Sequence, residues 1–194
     1  MLCQNHKSKC SNLCVIPARG GSTRFKLKNI QSLFNKPLLG WAIEAALDSG
    51  VFDKIIVSTD HELIADIANE YGVEVQERPS ELATATSLVK DTMEYVLNNT
   101  SDTYDYVQLL EPTNPLVFFD DIRHAMQRIH FTDADFLVSV CKVEPHIPLG
   151  YAAPLPLDGT LTGWFPKELR TQRTQDVGDG YHLDGNIYIG KSWV

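Results

Sequence analysis

The residues best suited to chemistry lie in one loop near the N terminus, between Ala18 and Asn29. Two adjacent glycines in this loop allow the backbone to approach an anion closely and to point N–H groups at it. Arg19 offers planar, two-pronged contacts to phosphate, Lys28 offers a mobile point charge, and Ser22 offers a hydroxyl donor. Neither the GxxxxGK[ST] pattern of P-loop proteins nor the GxGxxG dinucleotide fingerprint is present. The residue types predict a phosphate site of another kind, with a mobile, glycine-rich loop as the alternative.

The distribution of charge favours an anion site in the same part of the chain. The 194 residues include 17 Lys and Arg and 25 Asp and Glu, which gives a formal net charge of −8. Residues 1–43 nevertheless contain no acidic residue and seven of the basic ones. Nucleic-acid binders usually carry a basic surplus, so a locally basic segment on an acidic protein predicts a site for a small anion instead. A solvated basic loop is the alternative interpretation.

The elements that must position this loop alternate between strands and helices. Helical spacing follows Pro37 as far as Gly50, and follows Asp60, the predicted helix cap, as far as Gly72. Two further helices are predicted over residues 87–97 and 120–129, and strands over residues 13–16, 54–58, 73–75, 106–110, 136–143 and 186–189. This order predicts a three-layer α/β fold with a mainly parallel sheet, in which ligands bind beyond the carboxyl ends of the strands.

Composition predicts a globular protein of a reducing compartment. Hydrophobic residues make up 43% of the chain and charged residues 22%, which are ordinary values for a folded domain. The polar N terminus lacks a signal-peptide core, and no apolar run approaches the roughly 18 residues that cross a membrane. We therefore expect a frayed or disordered leader over residues 1–12 and a single domain over residues 13–194. The irregular segment 144–180 is predicted to be an insertion or a dimerisation arm.

The other reactive side chains have ordinary interpretations. The four cysteines form no CxxC pair, and Cys14 and Cys141 stand in apolar runs, which is typical of buried thiols in a reducing cytoplasm. His124 and His130 share a predicted helix with Arg123, which indicates a solvent-facing surface.

The loop sequence VIPARGGS, followed by KLKN, resembles the N-terminal signature of the acylneuraminate cytidylyltransferases, the CMP-sialic acid synthetase group. Four further segments resemble the same family in the same order, so that the resemblance extends over about residues 13–194. These segments are residues 55–60, 77–83, 109–116 and 184–189. The resemblance implies a fold of the Rossmann-like nucleotide-diphospho-sugar transferase type and a single nucleotidyltransferase domain, in which segment 144–180 would serve dimerisation or the sugar site.

The resemblance also implies a reaction. CMP would be transferred from CTP to the anomeric hydroxyl of a nonulosonic acid of the sialic, pseudaminic or legionaminic type, with release of pyrophosphate. The implied cofactor is Mg²⁺, and the implied enzyme is a cytoplasmic homodimer with no nucleic-acid or membrane partner. A nucleotidyltransferase for another sugar or base, and an inactive nucleotide-binding homologue, remain as alternatives.

Residue roles follow from the positions that match the family pattern. Catalytic roles fall to Arg19, Lys28 and Glu111. The nucleotide-binding positions are Arg19, Gly20, Gly21, Ser22, Arg24, Lys28, Asn29, Arg78 and Ser87. The substrate-binding positions are Glu111, Thr113, His182, Asp184 and Gly185.

Several positions depart from the family pattern. Thr23 replaces a usual lysine, although Arg24 follows it and can supply the charge. Glu111 replaces a common glutamine, Asp184 replaces an asparagine, and His182 stands where a basic residue is expected. Because a carboxylate only accepts hydrogen bonds, Glu111 favours hydroxyl or amide donors on the sugar. The departures leave the nucleotide class unchanged and the identity of the sugar open.

The metal ligands cannot be assigned from this sequence. The family carries an acidic Mg²⁺-binding pair near its C terminus, and the chain ends at Val194, before that region. We expect the C-terminal end of the domain to be missing from this sequence, with a protein that lost its tail or its catalysis as the alternatives. Asp60 and Asp184 are candidate metal ligands, but they are more simply explained as a helix cap and a polar loop residue.

Overall fold

The computed structural model describes residues 10–21, 25–142 and 181–192. The chain divides into two compact units, one formed by Met1–Val138 with Gly185–Val194 and the other by Ser139–Asp184. Most of the predicted leader, the predicted insertion 144–180 and the predicted site residues Ser22 and Arg24 lie outside the described residues. Within the described residues, no helix is long and apolar enough to cross a membrane.

Strands and helices alternate along the chain. The strands are β1 (Asn12–Pro17), β2 (Ser32–Leu33), β3 (Lys36–Pro37), β4 (Lys54–Thr59), β5 (Glu74–Glu77), β6 (Tyr106–Leu109), β7 (Phe136–Lys142) and β8 (Tyr181–Lys191). The α-helices are α1 (Leu38–Ser49), α2 (Glu62–Glu70), α3 (Val89–Asn98) and α4 (Phe119–Thr132), and short 3₁₀ helices cover Lys28–Ile30 and Ser80–Leu82. Each predicted strand and helix therefore has a counterpart at nearly the predicted position.

The main sheet has six strands in the order β5-β4-β1-β6-β8-β7. The neighbouring pairs β5–β4, β4–β1 and β1–β6 are parallel, whereas β8 runs antiparallel to β6. β1 thus lies inside the sheet with a parallel partner on each side, which fits its almost continuous apolar sequence. The prediction of a mainly parallel α/β sheet is confirmed.

Helices cover both faces of the sheet. Cys14 and Ile16 of β1 pack in one cluster with side chains of α1, α2 and α4. Leu13 and Val15, which point to the opposite face, pack with side chains of α3 and β6. A third cluster joins α4 to β6 and β8. The alternation of side chains along β1 therefore fixes the three layers and the position of the loop that follows β1.

The helix boundaries follow the predicted signals, with one exception. α1 begins directly after Pro37 and ends before Gly50, whose φ of 63° is the left-handed conformation that glycine adopts easily. Asp60 was predicted to cap α2, and this prediction is wrong. His61 is the N-cap instead, and its Nδ1 accepts a hydrogen bond from the Leu63 amide at 3.2 Å.

Two smaller predictions also require correction. The leader was predicted to extend to residue 12, but β1 begins at Asn12, and the Ser11 amide donates to Asp105 Oδ2 at 2.8 Å. His130 was predicted to face solvent. It is partly buried, with its ring centroid 4.7 Å from that of Tyr106 and its Nε2 3.2 Å from the side-chain oxygen of Asn12. Burial lowers the pKa of His130, and the carboxylate of Asp105 partly opposes this effect.

Candidate functional site

The loop after β1 begins where the sheet ends. The Ala18 amide donates to the Ser58 carbonyl at 2.9 Å, which carries the β1–β4 pairing one residue beyond the strand. The next contact is made by the Gly20 amide, which donates to Asp60 Oδ1 at 2.8 Å. The first residues of the predicted phosphate loop are therefore held by the end of β4 and by the turn that follows it.

A cleft of about 200 Å³ opens beside this loop. Its lining comes from the loops after β1, β5 and β6 and from the first part of α3. The lining residues are Pro17, Arg19, Gly21, Lys28, Asn29, Arg78, Leu82, Ser87, Leu88, Val89, Thr92, Glu111, Pro112 and Thr113. Eight predicted site residues are among them, although they come from distant parts of the sequence. They are Arg19, Gly21, Lys28, Asn29, Arg78, Ser87, Glu111 and Thr113.

Arg19 and Asn29, which lie near the two ends of the phosphate loop, are hydrogen-bonded to each other. The side-chain amide of Asn29, which is buried, donates to the Arg19 carbonyl at 3.0 Å. The Arg19 guanidinium in turn donates from Nη1 to the carbonyl of Thr84. Lys28 stands in the 3₁₀ helix just before Asn29 and lines the cleft. The loop therefore presents two cations toward one space from opposite ends.

Arg78 is a buried cation at the edge of the cleft. Only 5% of its surface is exposed, and its Nη2 and Nε donate to the carbonyl and hydroxyl oxygens of Ser58 at 2.6 and 3.3 Å. Burial lowers the pKa of Arg78, the carboxylate of Asp60 raises it, and the charge of Arg19 lowers it further. A guanidinium stays protonated in spite of such shifts, so Arg78 is a fixed positive charge with donors left for a ligand.

Ser87 orders the turn before α3. Its hydroxyl donates to the Glu81 carbonyl at 2.9 Å, and it accepts from the Thr84 amide at 3.1 Å. The Ser87 amide donates back to Thr84 Oγ1 at 3.1 Å. This turn also carries the carbonyl that Arg19 contacts, so the segment links the phosphate loop to the wall formed by α3.

Glu111 and Thr113 form the turn after β6. Thr113 Oγ1 donates to Glu111 Oε2 at 3.3 Å, and the Asn114 amide donates to the Glu111 carbonyl at 3.1 Å. The side chain of Asn114 donates to the carbonyl of Gly185, which has a φ of 80°. A Cβ at Gly185 would lie only 3.0 Å from Asn114 Nδ2. The structure therefore joins the predicted residue Gly185 to the turn of Glu111 through Asn114, which sequence reasoning did not single out.

His182 and Asp184 are described within the second unit, on the part of β8 that precedes Gly185. His182 Nε2 lies 2.9 Å from Cys141 Sγ, and the Ser139 hydroxyl donates to Asp184. The two pairs connect neighbouring strands β7 and β8 through side chains at alternate positions. Their predicted role in sugar binding stays a prediction.

Gly20 has a different environment from the one that sequence reasoning gave it. Its amide is already bonded to Asp60, so it does not point at the cleft as a free donor. A Cβ at this position would lie 2.5 Å from Cδ2 and 2.7 Å from Cβ of His61, so only glycine fits. From the sequence, Asp60 was expected to be a helix cap or a metal ligand at the end of a family-like segment, and His61 had no predicted role. The motif Ser-Thr-Asp-His at the end of the buried strand β4 was the available signal.

No metal centre is assembled within the described ranges, where no group of three His, Cys, Asp or Glu side chains comes close enough to hold an ion. Mg²⁺ is usually held by one or two carboxylates together with substrate phosphates, so such a cluster is not required when a triphosphate supplies ligands. The donor set of the cleft, with Glu111 as the carboxylate among its described lining residues, is compatible with that arrangement.

The chain has a three-layer α/β fold of the nucleotide-diphospho-sugar transferase type. The fold is similar to that of CMP:2-keto-3-deoxy-manno-octonic acid synthetase, solved in complex with CTP, with a TM-score of 0.69, 16% identity and coverage of 95% of this chain and 75% of that chain. It is also similar to 4-diphosphocytidyl-2C-methyl-D-erythritol synthase from Anaerococcus prevotii, with a TM-score of 0.63, 11% identity and coverage of 96% and 73%.

Sequence comparison identifies the family. The cytidylyltransferase family model matches residues 13–145. The chain is 33% identical over 190 residues to the pseudaminic acid cytidylyltransferase of Campylobacter jejuni, covering 94% of this chain and 80% of that protein. It is 36% identical over 186 residues to the N-acylneuraminate cytidylyltransferase of Streptococcus agalactiae, covering 91% of this chain and 42% of that protein. The chain belongs to the cytidylyltransferase family.

Proposed function

We propose that this protein transfers CMP from CTP to the anomeric hydroxyl of a nonulosonic acid and releases pyrophosphate. The observation that carries the proposal is the cleft, where residues of three family-like segments line one space: Lys28 from the first loop, Arg78 from segment 77–83 and Glu111 from segment 109–116. Asn114 of the last of these contacts Gly185 of segment 184–189. The names of the curated relatives, which are cytidylyltransferases for pseudaminic and N-acylneuraminic acid, support the same reaction.

The cations of the cleft would bind the triphosphate. Arg19 and Lys28 approach it from the two ends of one loop, and buried Arg78 provides a charge that needs little further ordering. Such fixed donors stabilise charge that develops on phosphate oxygens, and positioning accounts for much of the catalysis in phosphorus displacements. The family pattern implies that Asn29, Arg78 and Ser87 lie around cytidine, so Arg78 would place its charge on the cytidine side of the triphosphate.

The chemical step is an in-line displacement at the α-phosphorus. The anomeric oxygen of the sugar acid forms the new bond to phosphorus, the bond to the bridging oxygen breaks, and pyrophosphate leaves with that oxygen. The hydroxyl proton is released to water. Glu111, together with Thr113, would orient the sugar by accepting hydrogen bonds from its hydroxyl or amide donors. Mg²⁺, when bound, would supply charge neutralisation on the triphosphate oxygens.

The sugar acid that we propose to test first is of the pseudaminic type. The pseudaminic acid cytidylyltransferase is matched over 80% of its length, whereas the N-acylneuraminate enzyme is matched over 42%. A sialic or legionaminic acid is the second candidate. His182 and Asp184, which replace the residue types usual in sialic acid synthetases, would be sugar contacts in either case.

We further propose a cytoplasmic homodimer with no membrane or nucleic-acid partner. The net charge of −8 opposes binding to nucleic acid and so supports that part of the proposal. The oligomeric state can be measured by light scattering.

The first experiment is a thermal-shift measurement with Mg²⁺ and, separately, CTP, UTP, GTP and ATP. A ligand at about 100 times its dissociation constant should stabilise the protein by roughly 2.7 kcal/mol. We expect the shift with CTP, followed by pyrophosphate release when a nonulosonic acid is added. A larger shift with another nucleotide would favour a different base. A CTP shift without pyrophosphate release on any sugar acid would favour the inactive homologue.

A further inference from the structure

Gly20, near the start of the phosphate loop, is contacted by Asp60 and His61, neither of which is among the described lining residues of the cleft. Asp60 accepts a hydrogen bond from the Gly20 amide at 2.8 Å. The side chain of His61 covers Gly20 so closely that an added Cβ would lie within 2.9 Å of three of its atoms, Cβ, Cγ and Cδ2. Gly20 is therefore bonded on one side and covered on another.

Hydrogen bonds also fix the end of β4 and the turn that carries Asp60 and His61. The Arg78 amide donates to the Thr59 carbonyl at 2.8 Å, and the His61 amide donates to Thr59 Oγ1 at 3.2 Å. Ser58 accepts from both the Ala18 amide and the Arg78 guanidinium. One short turn thus connects the phosphate loop to the buried cation, which lies about sixty residues further along the chain.

A carboxylate is an unexpected group at this position. Negative charge near a triphosphate site repels the ligand, and the cost grows as water is excluded. Asp60 must therefore offer a compensating benefit. Its bond to the Gly20 amide fixes the direction of the loop backbone, and its charge offsets part of the repulsion between Arg19 and Arg78, as the opposing effects on the pKa of Arg78 indicate.

We propose that Asp60 and His61 are positioning residues that hold Gly20, and with it the loop from Arg19 to Gly21, in the conformation that receives the triphosphate. Asp60 accepts a hydrogen bond from the Gly20 amide, and the side chain of His61 restricts the position of Gly20 by steric contact. Neither residue touches the reacting atoms. The inference rests on the proposed function only in that the triphosphate is taken to be that of CTP.

The role of Asp60 is tested by two variants at that position, one without the acceptor and one isosteric with aspartate. Asp60→Ala removes the acceptor, and we expect the KM for CTP to rise about tenfold or more with a smaller change in kcat. Asp60→Asn keeps a side-chain oxygen in place of Oδ1 and should restore most of the affinity. The dependence of the rate on Mg²⁺ concentration should not change. Equal impairment of both variants, with a higher Mg²⁺ requirement, would overturn the proposal and indicate a metal ligand.

The role of His61 is tested by a double-mutant cycle with Gly20→Ala. Cβ of residue 61 would itself lie 2.7 Å from the new methyl group, so alanine at position 61 would not make room, and His61→Gly is the required partner. We expect Gly20→Ala to raise the KM for CTP about tenfold or more, and the double variant to recover most of this loss. Additive effects in the cycle would contradict the proposed steric contact between His61 and Gly20.

A readout without nucleotide separates this inference from the proposed function. Hydrogen exchange of the Gly20 amide should be slow in the wild type and in Asp60→Asn, and fast in Asp60→Ala, while thermal unfolding shows that each variant is folded. If the wild type protects this amide but does not bind CTP, the proposed function fails and the positioning role stands. If CTP binds while the amide is unprotected and Asp60→Ala has a normal KM, the positioning role fails.

Discussion

At the scale of single residues, the site combines cationic side chains that differ in conformational freedom. Arg78 is buried and bonded to Ser58, Arg19 is tied to the turn before α3, and Lys28 lines the cleft from a short 3₁₀ helix. An ordered guanidinium loses little entropy when a phosphate binds, whereas a lysine must give up rotamer freedom. We therefore expect Lys28 to be the cation that follows the triphosphate during the reaction and the arginines to define its binding position.

Lys28→Ala should weaken CTP binding, because it removes a charge that lines the cleft. Loss of a charge-assisted contact usually costs about 1.5–3 kcal/mol, which corresponds to a dissociation constant roughly 10 to 100 times higher. Isothermal titration with CTP and Mg²⁺ measures this directly. Lys26→Ala is the matched control, because Lys26 is exposed in the same loop and is absent from the described lining of the cleft. Equal effects of the two substitutions would mean that only net charge matters.

A second prediction at this scale concerns His130. Burial lowers its pKa in the folded protein below the ordinary value of 6.5, so the unfolded chain binds its proton more tightly. The stabilising contribution of neutral His130 is present above about pH 6.5 and is lost as the pH falls through the lower, folded-state pKa. The free energy of unfolding should thus decrease between pH 7 and pH 5, and less so in His130→Gln. Urea unfolding measures the slope.

The control for His130 is on the same helix. His124 is exposed, so His124→Gln should keep the pH dependence of the wild type. If His130→Gln also keeps it, another group controls the acid sensitivity. The carboxylate of Asp105, which opposes the pKa shift of His130, is the first alternative to replace.

At the scale of elements, strands and helices followed from local signals, whereas the contacts of the site did not. The apolar run of β1 and the stop at Gly50 predicted their elements closely, because burial and a left-handed helix end are local requirements. The carboxyl ends of parallel strands predicted which loops share an edge of the sheet. Asp60 and His61 could not be assigned correctly, because the choice between two adjacent capping residues depends on Gly20, which is forty residues away.

Gln108, inside strand β6, is a second residue whose environment could not be predicted from local sequence signals. The apolar pattern predicted β6, but nothing local indicated that a glutamine in it would be completely buried. Within the described part of the chain, neither its amide nitrogen nor its amide oxygen has a hydrogen-bond partner. A buried amide without partners costs free energy that an apolar side chain does not.

We therefore predict that Gln108→Met raises the free energy of unfolding by about 1–2 kcal/mol, because methionine has a similar shape and no polar atom to desolvate. Chemical denaturation measures the change. Gln127→Met, at an exposed position of α4, is the control and should change stability by less than about 0.5 kcal/mol. A loss of stability in Gln108→Met would show that the amide has a bonded partner, such as buried water.

At the scale of the whole molecule, charge and topology set what the protein can bind. The net charge of −8 opposes long polyanions, while the cations near the first loop are arranged around one small cleft. The fold and the family could be predicted from the order of segments along the chain. The division at Ser139 and Asp184 could not be placed from the sequence, because proline- and glycine-rich stretches carry weak local signals.

The net negative charge and the small cationic cleft together predict which anions the protein binds in solution. At physiological salt, fluorescence anisotropy should detect no binding of a labelled DNA duplex at micromolar protein. The dissociation constant for CTP should rise as NaCl increases, because the contact between cleft and triphosphate is mainly ionic. Duplex binding comparable to CTP binding would contradict the assignment of the basic segment to a small anion.

The place of β8 in the sheet bears on the order in which the protein is built during translation. β8 pairs with β6, yet about eighty residues separate the end of β6 from the beginning of the paired segment. Until the ribosome has released residues 188–191, the hydrogen-bonding edge of β6 has no partner, although β5, β4, β1 and β6 can already assemble. Lys191 then joins the strand to Asp133 and Asp135 through ion pairs of 3.1 and 2.8 Å. The nascent chain is consequently exposed to strand-mediated aggregation at the edge of β6 until residues 188–191 emerge.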